Sequence, residues 1–168
     1  MKIKIFSAGG TIDKIYFDKK SEFDVGESVV GDILKEANVN FEYECEPILS
    51  KDSLDMTVDD RQLVFDKINS DLNTHIIITH GTDTMIETAK KLQSIPGKVI
   101  VLTGSMQPAR FKASDAAFNV GCAITAVQSL PPGVYIVMNG CVFAPEKVRK
   151  NREHNRFEAI FKPRKKTE

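Results

Sequence analysis

The sequence lacks the features that would tie the protein to a membrane or to nucleic acid. No run of apolar residues approaches the roughly 18–20 residues that a helix needs to cross a bilayer. The 23 basic and 23 acidic side chains give a formal net charge of zero, which supports neither nucleic acid nor an acidic membrane as a partner. The one basic stretch, residues 162–166, is more typical of a solvated chain end than of a binding patch.

Cysteine is also scarce, since the chain contains only Cys45, Cys122 and Cys141. An odd number at wide spacing indicates neither a disulfide framework nor a zinc knuckle. Residues 1–6 alternate charged and bulky apolar side chains, without the apolar core and cleavage site of a signal peptide. From these absences we expect a cytoplasmic protein.

Phosphate-binding loops and metal-ligand clusters are missing as well. Residues 8–12, Ala-Gly-Gly-Thr-Ile, have neither the three-glycine spacing of a dinucleotide-binding domain nor the Gly-Lys-Ser/Thr ending of a Walker loop. A nucleotide-binding domain is therefore a poor interpretation. His75, His80 and His154 show no ligand spacing with one another or with a cysteine, so we expect no metal site.

What the sequence does contain is a regular alternation of strand and helix patterns. Short apolar stretches predict strands at residues 2–7, 41–46, 74–78, 98–103 and 133–138. Apolar residues at helical spacing predict helices at residues 27–38, 57–70, 87–92 and 114–130. This alternation predicts one α/β domain over residues 1–161, a doubly wound, mostly parallel sheet with helices on both faces. A basic C-terminal tail would follow at residues 162–168.

Two local signals accompany this pattern. Thr57, followed three residues later by Asp60, forms a capping box that predicts the start of the second helix. Residues 13–26 are polar and aromatic without a period, so we interpret them as a long loop or a loose hairpin. A connection of this length in a compact domain is usually a lid or a binding loop.

Polar loops follow the ends of the predicted strands. Right-handed crossovers bring the carboxyl ends of parallel strands to one edge of the sheet, where ligands usually bind. We therefore expect these loops to cluster. They begin at Gly9, Ser50, Gly81, Gly104 and Asn139.

The central loop, His80-Gly81-Thr82-Asp83-Thr84-Met85, has two explanations. Thr82, Asp83 and Thr84 all suit a helix N-cap, and the loop taken alone favours capping because a cap needs only one of them. Its convergence with other polar strand-end loops makes capping alone a poorer explanation and favours a ligand or catalytic site.

The side chains gathered at this edge suit nucleophilic attack on a carbonyl. A threonine hydroxyl is a poor nucleophile until a neighbour takes its proton. A lysine can do so if its surroundings lower its pKa, and a carboxylate can hold that lysine in position. Backbone amides beside the glycines would stabilise the oxyanion. His80 is a further candidate acid or base, although a hydrogen-bonded structural histidine is the favoured interpretation. The gathered groups are Thr11, Ser53, Thr82, Asp83, Ser105 and Lys150.

Three motifs in order carry a resemblance to a known family. The first strand with Gly9-Gly10-Thr11-Ile12, the central loop, and Gly104-Ser105-Met106-Gln107-Pro108 resemble the bacterial-type L-asparaginases. Val137-Met138-Asn139 followed by Lys150 is similar to the last catalytic segment of that family. The resemblance extends from Lys2 to about Phe161 and implies the fold of the N-terminal domain of an asparaginase.

The resemblance also implies an activity and the residues that carry it. The activity is that of an amidohydrolase without a cofactor, releasing L-aspartate and ammonia from L-asparagine. Thr11 would be the nucleophile. Thr82 and Lys150 would form a second proton-transfer group with Asp83, which would also bind the α-amino group of the substrate.

The remaining positions would bind the substrate. Ser53 matches the serine that binds the α-carboxylate, and Gly10 is expected to lie against the substrate. Ser105 stands where the family uses a backbone carbonyl to hold the amide. Leu54 is a departure, since it replaces a polar side chain, often glutamine, that helps to hold the α-amino group.

Two further departures concern length and the lid. Family members are usually about twice this length, with a second, smaller domain that helps to complete the active site of a neighbouring subunit. Since this sequence corresponds to the first domain alone, we expect a short form. Phe23 stands where the family carries a lid tyrosine that partners the nucleophile. Tyr16, in the same loop, is our candidate replacement, with a packing role as its alternative.

Three functions stay open on this basis. The first is an L-asparaginase with a small-molecule substrate, expected as a homo-oligomer without nucleic acid or membrane partners. The second is an amidohydrolase for a different small amide, because Leu54 weakens the α-amino site. The third is a non-catalytic amino-acid-binding protein, although binding alone has no need of a nucleophile such as Thr11.

Overall fold

The structure, a computed structural model, describes residues 1–17 and 22–160, without the side chains of residues 16, 17, 22 and 23. The predicted tail, residues 162–168, lies outside the described residues. The strands are β1 (Lys2–Ser7), β2 (Lys14–Phe17), β3 (Glu22–Val25), β4 (Glu42–Pro47), β5 (His75–Thr79), β6 (Val99–Thr103), β7 (Gly133–Met138), β8 (Cys141–Phe143), β9 (Val148–Asn151) and β10 (Arg156–Ala159). The α-helices are α1 (Val30–Glu36), α2 (Val58–Ser70), α3 (Met85–Leu92) and α4 (Ala116–Ser129).

A six-stranded sheet forms the centre of the fold, in the order β4-β1-β5-β6-β7-β8. The strands from β4 to β7 run parallel, and β8 is antiparallel to β7. The predicted α/β class with a mostly parallel sheet is therefore confirmed. The chain moves outward from β1 in both directions, to β4 on one side and to β5 on the other. This reversal makes the carboxyl ends of β1 and β5 the topological switch point, where a ligand crevice opens in such sheets.

The alternation of side chains along β5 explains why helices cover both faces of the sheet. Ile76 and Ile78 belong to a core that includes residues of α2 and α3. Ile77 belongs to the opposite core, which includes residues of α1 and α4. All three isoleucines are fully buried, and burial of each contributes about 1.5–3 kcal/mol to stability.

The edge strand β4 is held to β1 by an ion-pair ladder. The buried Nζ of Lys4 lies 2.6 Å from Oε1 of Glu44 and 2.6 Å from Oε2 of Glu46. Lys2 pairs with the second carboxylate oxygen of Glu44 at 2.5 Å. Hydrogen bonds from Lys2 and Lys4 lower the pKa of Glu44 to about 2, so this edge carries charge across the whole physiological range of pH.

Two of the local predictions are confirmed. Thr57 caps α2 and forms the capping box with Asp60, whose carboxylate accepts the Thr57 N–H at 2.8 Å. Residues 13–26 contain a hairpin, because β2 and β3 pair antiparallel with Lys14 opposite Val25. The tip of this hairpin, residues 18–21, belongs to the part of the chain that is not described.

The segment after β7, where the sequence analysis predicted no strand, contains three short strands. Asn139 and Gly140 have φ values of 54° and 77° and turn β7 back into β8. Strands β9 and β10 then pair antiparallel, with Lys150 opposite Phe157. Charged side chains fill β9 and β10, so their apolar pattern is too weak to predict a strand.

Three observations concern features that the sequence analysis excluded. None of the described helices combines the length and the apolar character that crossing a membrane requires. Cys45, Cys122 and Cys141 are free thiols. Within the described part of the chain, no group of three or more His, Cys, Asp or Glu side chains is arranged to hold a metal ion.

Candidate active site

Gly10 places the end of β1 directly against the end of β5. Its φ is 96°, and a Cβ at this position would stand 2.4 Å from both the N and the Cα of Gly81. A side chain is therefore excluded by backbone conformation and by space. Thr11 follows at the start of a short 3₁₀ turn, Thr11–Asp13, so its partly buried side chain lies at the topological switch point.

Ser53 packs on the other side of Gly81. A Cβ on Gly81 would stand 2.6 Å from the Cβ and the Oγ of Ser53. The Thr84 hydroxyl donates to the Ser53 carbonyl at 2.8 Å, which fixes this loop to the start of α3. The Oγ of Ser53 is itself buried, and no described group hydrogen-bonds to it. A buried hydroxyl without a partner is costly, and a bound polar ligand would satisfy it.

The central loop carries an ion-pair cluster around Thr82 and Asp83. Lys150 Nζ donates to Thr82 Oγ1 at 2.7 Å and to Asp83 Oδ1 at 3.0 Å. Arg152 donates to the same Asp83 oxygen at 3.1 Å. Thr82 is buried and Lys150 is largely buried. The structure thus brings together two threonine-bearing loops and a lysine that lies 68 residues from Thr82 along the chain.

The capping explanation for this loop is wrong. Thr84 occupies the N-cap position of α3, but its side chain makes no capping hydrogen bond and instead donates to Ser53. Thr82 and Asp83 are engaged by Lys150 rather than by the amides of α3. The polar residues of the loop therefore serve contacts between loops, as their convergence predicted.

His80 is a structural histidine. It is fully buried, with Nδ1 2.8 Å from the Gly81 carbonyl and Nε2 2.9 Å from the Thr88 hydroxyl. Burial lowers the pKa of His80 to about 4, so the ring is neutral at physiological pH. With both nitrogens occupied, the ring holds the central loop against α3.

The loop after β6 is held by Asp115 and lies against the central loop. The Asp115 carboxylate accepts the N–H groups of Met106 and Gln107 at 3.0 and 3.1 Å. A Cβ on Gly104 would stand 2.4 Å from the His80 carbonyl oxygen. Ser105, between them, is buried and turns its hydroxyl to the Gln107 carbonyl. Its side chain is thus used within the loop.

Two of the predicted site residues are not shown as part of this cluster, Leu54 because it faces solvent and Tyr16 because its side chain is not described. The Leu54 side chain is 65% exposed and makes no polar contribution to the site. Tyr16 lies in β2 opposite Phe23, and the side chains of both residues are outside the described part of the structure. Tyr16 therefore stays a prediction.

The structure also shows buried or charged residues around the site that the sequence analysis missed. Asp13, two residues after Thr11, is buried, and its carboxylate accepts the Val29 N–H at 3.0 Å. Burial raises the pKa of Asp13 to about 6, although the Val29 hydrogen bond opposes this shift. Arg152 and the buried Asn119 were also missed, because their partners lie far away in sequence and no local pattern marks them.

The fold and the site together define a class of protein: a doubly wound α/β domain that presents a threonine, a threonine-lysine pair and a carboxylate at its switch point. Comparison with known proteins gives the particular family. The family model described as "Asparaginase, N-terminal" matches residues 2–166, and the chain belongs to this family.

Individual relatives agree with this assignment. The L-asparaginase of Thermococcus kodakarensis is 31% identical over 177 residues, which cover 97% of this chain and 52% of that protein. Its solved structure superposes with a TM-score of 0.84 at 29% identity, again over 97% of this chain and 52% of the other. The chain therefore spans about half the length of this relative.

Two further relatives match over shorter stretches. The glutaminase-asparaginase of Acinetobacter glutaminasificans is 40% identical over 80 residues, which cover 45% of this chain and 24% of that protein. A glutamyl-tRNA(Gln) amidotransferase subunit of Methanococcus vannielii is 43% identical over 67 residues, which cover 39% of this chain and 16% of that protein. The family thus includes proteins named for different amides.

Proposed function

We propose that this chain is an amidohydrolase that hydrolyses the side-chain amide of L-asparagine through Thr11. The observation that carries the proposal is the Lys150–Thr82 hydrogen bond of 2.7 Å, backed by Asp83, at the loop that Gly10 presses against. A lysine that is hydrogen-bonded to a buried threonine hydroxyl forms a pair that can transfer a proton. Nucleophilic catalysis by a hydroxyl requires a group that accepts the hydroxyl proton.

In the first half of the reaction, Thr11 Oγ1 attacks the amide carbon, and the hydroxyl proton of Thr11 passes to the Thr82–Lys150 pair. The resulting oxyanion is stabilised by backbone N–H groups of the strand-end loops. Protonation of the amide nitrogen releases ammonia and leaves an ester between Thr11 and the aspartyl group. Thr82 and Lys150 supply the route for the proton, and Asp83 holds Lys150 in place.

In the second half, water attacks the ester carbon and gives up a proton to the same pair. The ester bond breaks, the Thr11 hydroxyl is restored and L-aspartate leaves. The proton that accompanies ammonia in the first half is regained from water in the second, so the enzyme ends unchanged. Tyr16 is our candidate to assist proton removal from Thr11, since it lies on the hairpin that follows Thr11.

Substrate binding would use polar groups of the converging strand-end loops. Ser53, whose buried hydroxyl has no described partner, would donate to the α-carboxylate, and Asp83 would accept from the α-ammonium group. The backbone of Gly10 would lie against the substrate, and the Ser105 carbonyl would hold the amide. No metal or organic cofactor takes part in this proposal.

A second candidate, hydrolysis of a different small amide, is favoured by the state of Asp83. One oxygen of Asp83 already holds two cations, Lys150 and Arg152. The exposed Leu54 side chain adds no acceptor for an ammonium group. A substrate without a free α-amino group needs no acceptor at this position. Its binding would therefore be weakened less than the binding of L-asparagine.

A non-catalytic binding protein is the third candidate. Binding alone needs neither a nucleophile such as Thr11 nor a lysine placed against the Thr82 hydroxyl. The proposal also includes residues 1–161 as one catalytic domain, a cytoplasmic location and a homo-oligomeric assembly. Because the chain spans about half of the T. kodakarensis protein, all three are proposals about the whole molecule.

The test is release of ammonia from L-asparagine by the purified chain. Thr11→Ala and Lys150→Met should each lower kcat by about a thousandfold or more, as loss of a nucleophile or its base does. Lys147→Met, at an exposed lysine three residues before Lys150, is the matched control and should leave turnover unchanged.

Other outcomes would contradict the proposal or favour one of the other candidate functions. Full turnover by Thr11→Ala would overturn the nucleophile. Turnover of glutamine or succinamate but not of asparagine would favour the second candidate. Calorimetric binding of L-aspartate without turnover of any of these amides would favour the binding protein.

A further inference from the structure

We infer that Asn139 and Asn119 are positioning residues that set Lys150 in register with the loops of the site. The inference deepens the proposed function and rests on it, because Lys150 matters only if it moves a proton. The starting observation is that Lys150 sits on β9, outside the main sheet, whereas its partners Thr82 and Asp83 follow β5. Something must fix the small β9–β10 hairpin relative to the sheet.

A chain of hydrogen bonds makes this connection. The Asn119 side-chain N–H donates to the Gly104 carbonyl at 3.0 Å, and its Oδ1 accepts the Asn139 N–H at 3.0 Å. The Oδ1 of Asn139 then accepts the Phe157 N–H at 2.9 Å. Phe157 lies directly opposite Lys150 in the hairpin. Three links therefore lead from the loop beside Ser105 to the residue paired with the lysine.

The chemistry of these links leaves no choice of side-chain orientation. Each amide atom used by Asn119 and Asn139 meets a backbone group whose role as donor or acceptor is fixed. Asn119 is fully buried and also donates to Asp115 Oδ2 at 2.8 Å, so its amide nitrogen has two acceptors. An aspartate at position 119 would lose that donor and face the Asp115 carboxylate.

Asn139 has a second property that makes it suited to this place. Its φ of 54° lies in the left-handed region, which asparagine tolerates better than most residues. The turn to β8 requires this conformation, and the side chain is free to reach Phe157. Glycine and aspartate also tolerate the turn, and of these only aspartate keeps the acceptor.

The position of Lys150 Nζ is sensitive to this connection. Displacement of a reacting group by about 1 Å can cost about a hundredfold in rate. Loss of the Asn139 side chain leaves the β9–β10 hairpin attached through Val148 and Phe157, which both pack in the core, and through the chain itself. The hairpin should remain folded, with Lys150 less well placed against Thr82.

The test compares Asn139→Gly with Asn139→Asp in the purified chain, after circular dichroism has shown cooperative unfolding for both. We expect Asn139→Gly to lower kcat about tenfold or more with KM within about twofold, because positioning acts on the chemical step. Asn139→Asp should restore kcat to within about threefold of the original. Asn119→Ser, which breaks the chain one link earlier, should reproduce the loss in kcat.

A second measurement does not depend on turnover. Trace acetylation with acetic anhydride, followed by peptide mass spectrometry, reports how accessible Lys150 is relative to the exposed Lys147. The Lys150-to-Lys147 ratio should rise about threefold or more in Asn139→Gly and stay at its original value in Asn139→Asp. If the original chain shows no amide turnover, the proposed function fails and this ratio alone decides the positioning role. An unchanged ratio, or equal losses in Asn139→Gly and Asn139→Asp, would overturn the inference.

Discussion

The backbones of Gly10 and Gly81 are in direct contact, so that a Cβ on Gly10 would stand 2.4 Å from the Cα of Gly81. This contact joins the loop that carries Thr11 to the loop that carries Thr82. The contact also leaves no room for a side chain on Gly10, because the atoms that it would meet, the N and Cα of Gly81, belong to the backbone.

Gly10→Ala should therefore destabilise the protein by about 3 kcal/mol or more, through overlap and through a φ that alanine rarely adopts. The measurement is urea unfolding followed by circular dichroism. Gly121→Ala is the control, because a Cβ at this position in α4 meets nothing within 4 Å. It should stabilise the helix by about 0.5–1 kcal/mol. Equal effects of the two substitutions would contradict the importance of the contact.

Ser53→Ala should separate stability from binding. Removing a buried hydroxyl without a partner should leave the free energy of unfolding unchanged or raise it by about 1 kcal/mol. The KM for the amide substrate should nevertheless rise about tenfold, because the donor to the substrate carboxylate is gone.

Thr79→Val is the matched control for Ser53→Ala. Thr79 also has a buried hydroxyl for which no described partner exists, but it is the last residue of β5. This substitution should affect stability in the same direction and leave KM unchanged. A Ser53→Ala variant with unchanged KM would remove Ser53 from substrate binding.

Asp13→Asn should change how stability depends on pH. The pKa of Asp13 is raised to about 6 in the folded protein, so the wild-type carboxyl favours folding below pH 4 and loses that contribution as pH rises through 6. Asparagine has no such loss. The variant should therefore gain relative to wild type between pH 4 and 6, reaching a plateau of about 3 kcal/mol. The measurement is urea unfolding of both proteins across this range. A difference in unfolding free energy that does not change with pH would contradict the raised pKa of Asp13.

The same experiment should reveal how the titration of His80 affects stability. Its lowered pKa of about 4 has the opposite sign, because the neutral ring favours folding above pH 6.5 and this contribution is lost as pH falls through 4. In wild type the two groups offset each other over the same range. Asp13→Asn should therefore unfold more easily as pH falls from 6.5 to about 5, with a slope approaching one proton, before carboxylates such as Glu44 begin to contribute.

Arg152→Gln should strengthen binding of a substrate that carries an α-ammonium group. Arg152 is 72% exposed and shares Asp83 Oδ1 with Lys150, so its removal costs little stability and frees the carboxylate. We expect the KM for L-asparagine to fall about threefold, while the KM for succinamate, which lacks the amino group, stays constant. Arg149→Gln is the control, since Arg149 pairs with Glu158 instead. A rise in KM would mean that Arg152 itself binds substrate.

The strands and helices that place the site could be predicted because their patterns are local. Three consecutive isoleucines mark β5, and Thr57 with Asp60 marks the start of α2, each within a few residues of sequence. The clustering of the strand-end loops at one edge of the sheet followed from the order of elements, whereas the position of the switch point between β1 and β5 comes from the structure. In contrast, the segment from β8 to β10 was missed, although Asn139-Gly140 between apolar residues is a strong hairpin signal.

Pairings across long sequence separations could not be predicted from local pattern. Lys150 was a candidate by residue type, its pairing with Thr82 came from the family resemblance, and the contact between the two spans 68 residues. Arg152 at Asp83 and Asn139 at Asn119 have no such guide, since each depends on how two loops meet in space. The burial of Asp13 was likewise invisible, because a carboxylate in a polar loop is ordinarily exposed.

The two borders of the main sheet have a consequence for how copies of this chain can meet. On one side, β4 carries the carboxylates that Lys2 and Lys4 hold in their charged form, and it ends at Pro47, which has no N–H to donate. On the other, β8 is only three residues long. Charge, proline and shortness all discourage the addition of a foreign strand. Self-association of this domain should therefore proceed through helices or loops rather than by extending the sheet, and misassembly into continuous β-structure is opposed at both ends.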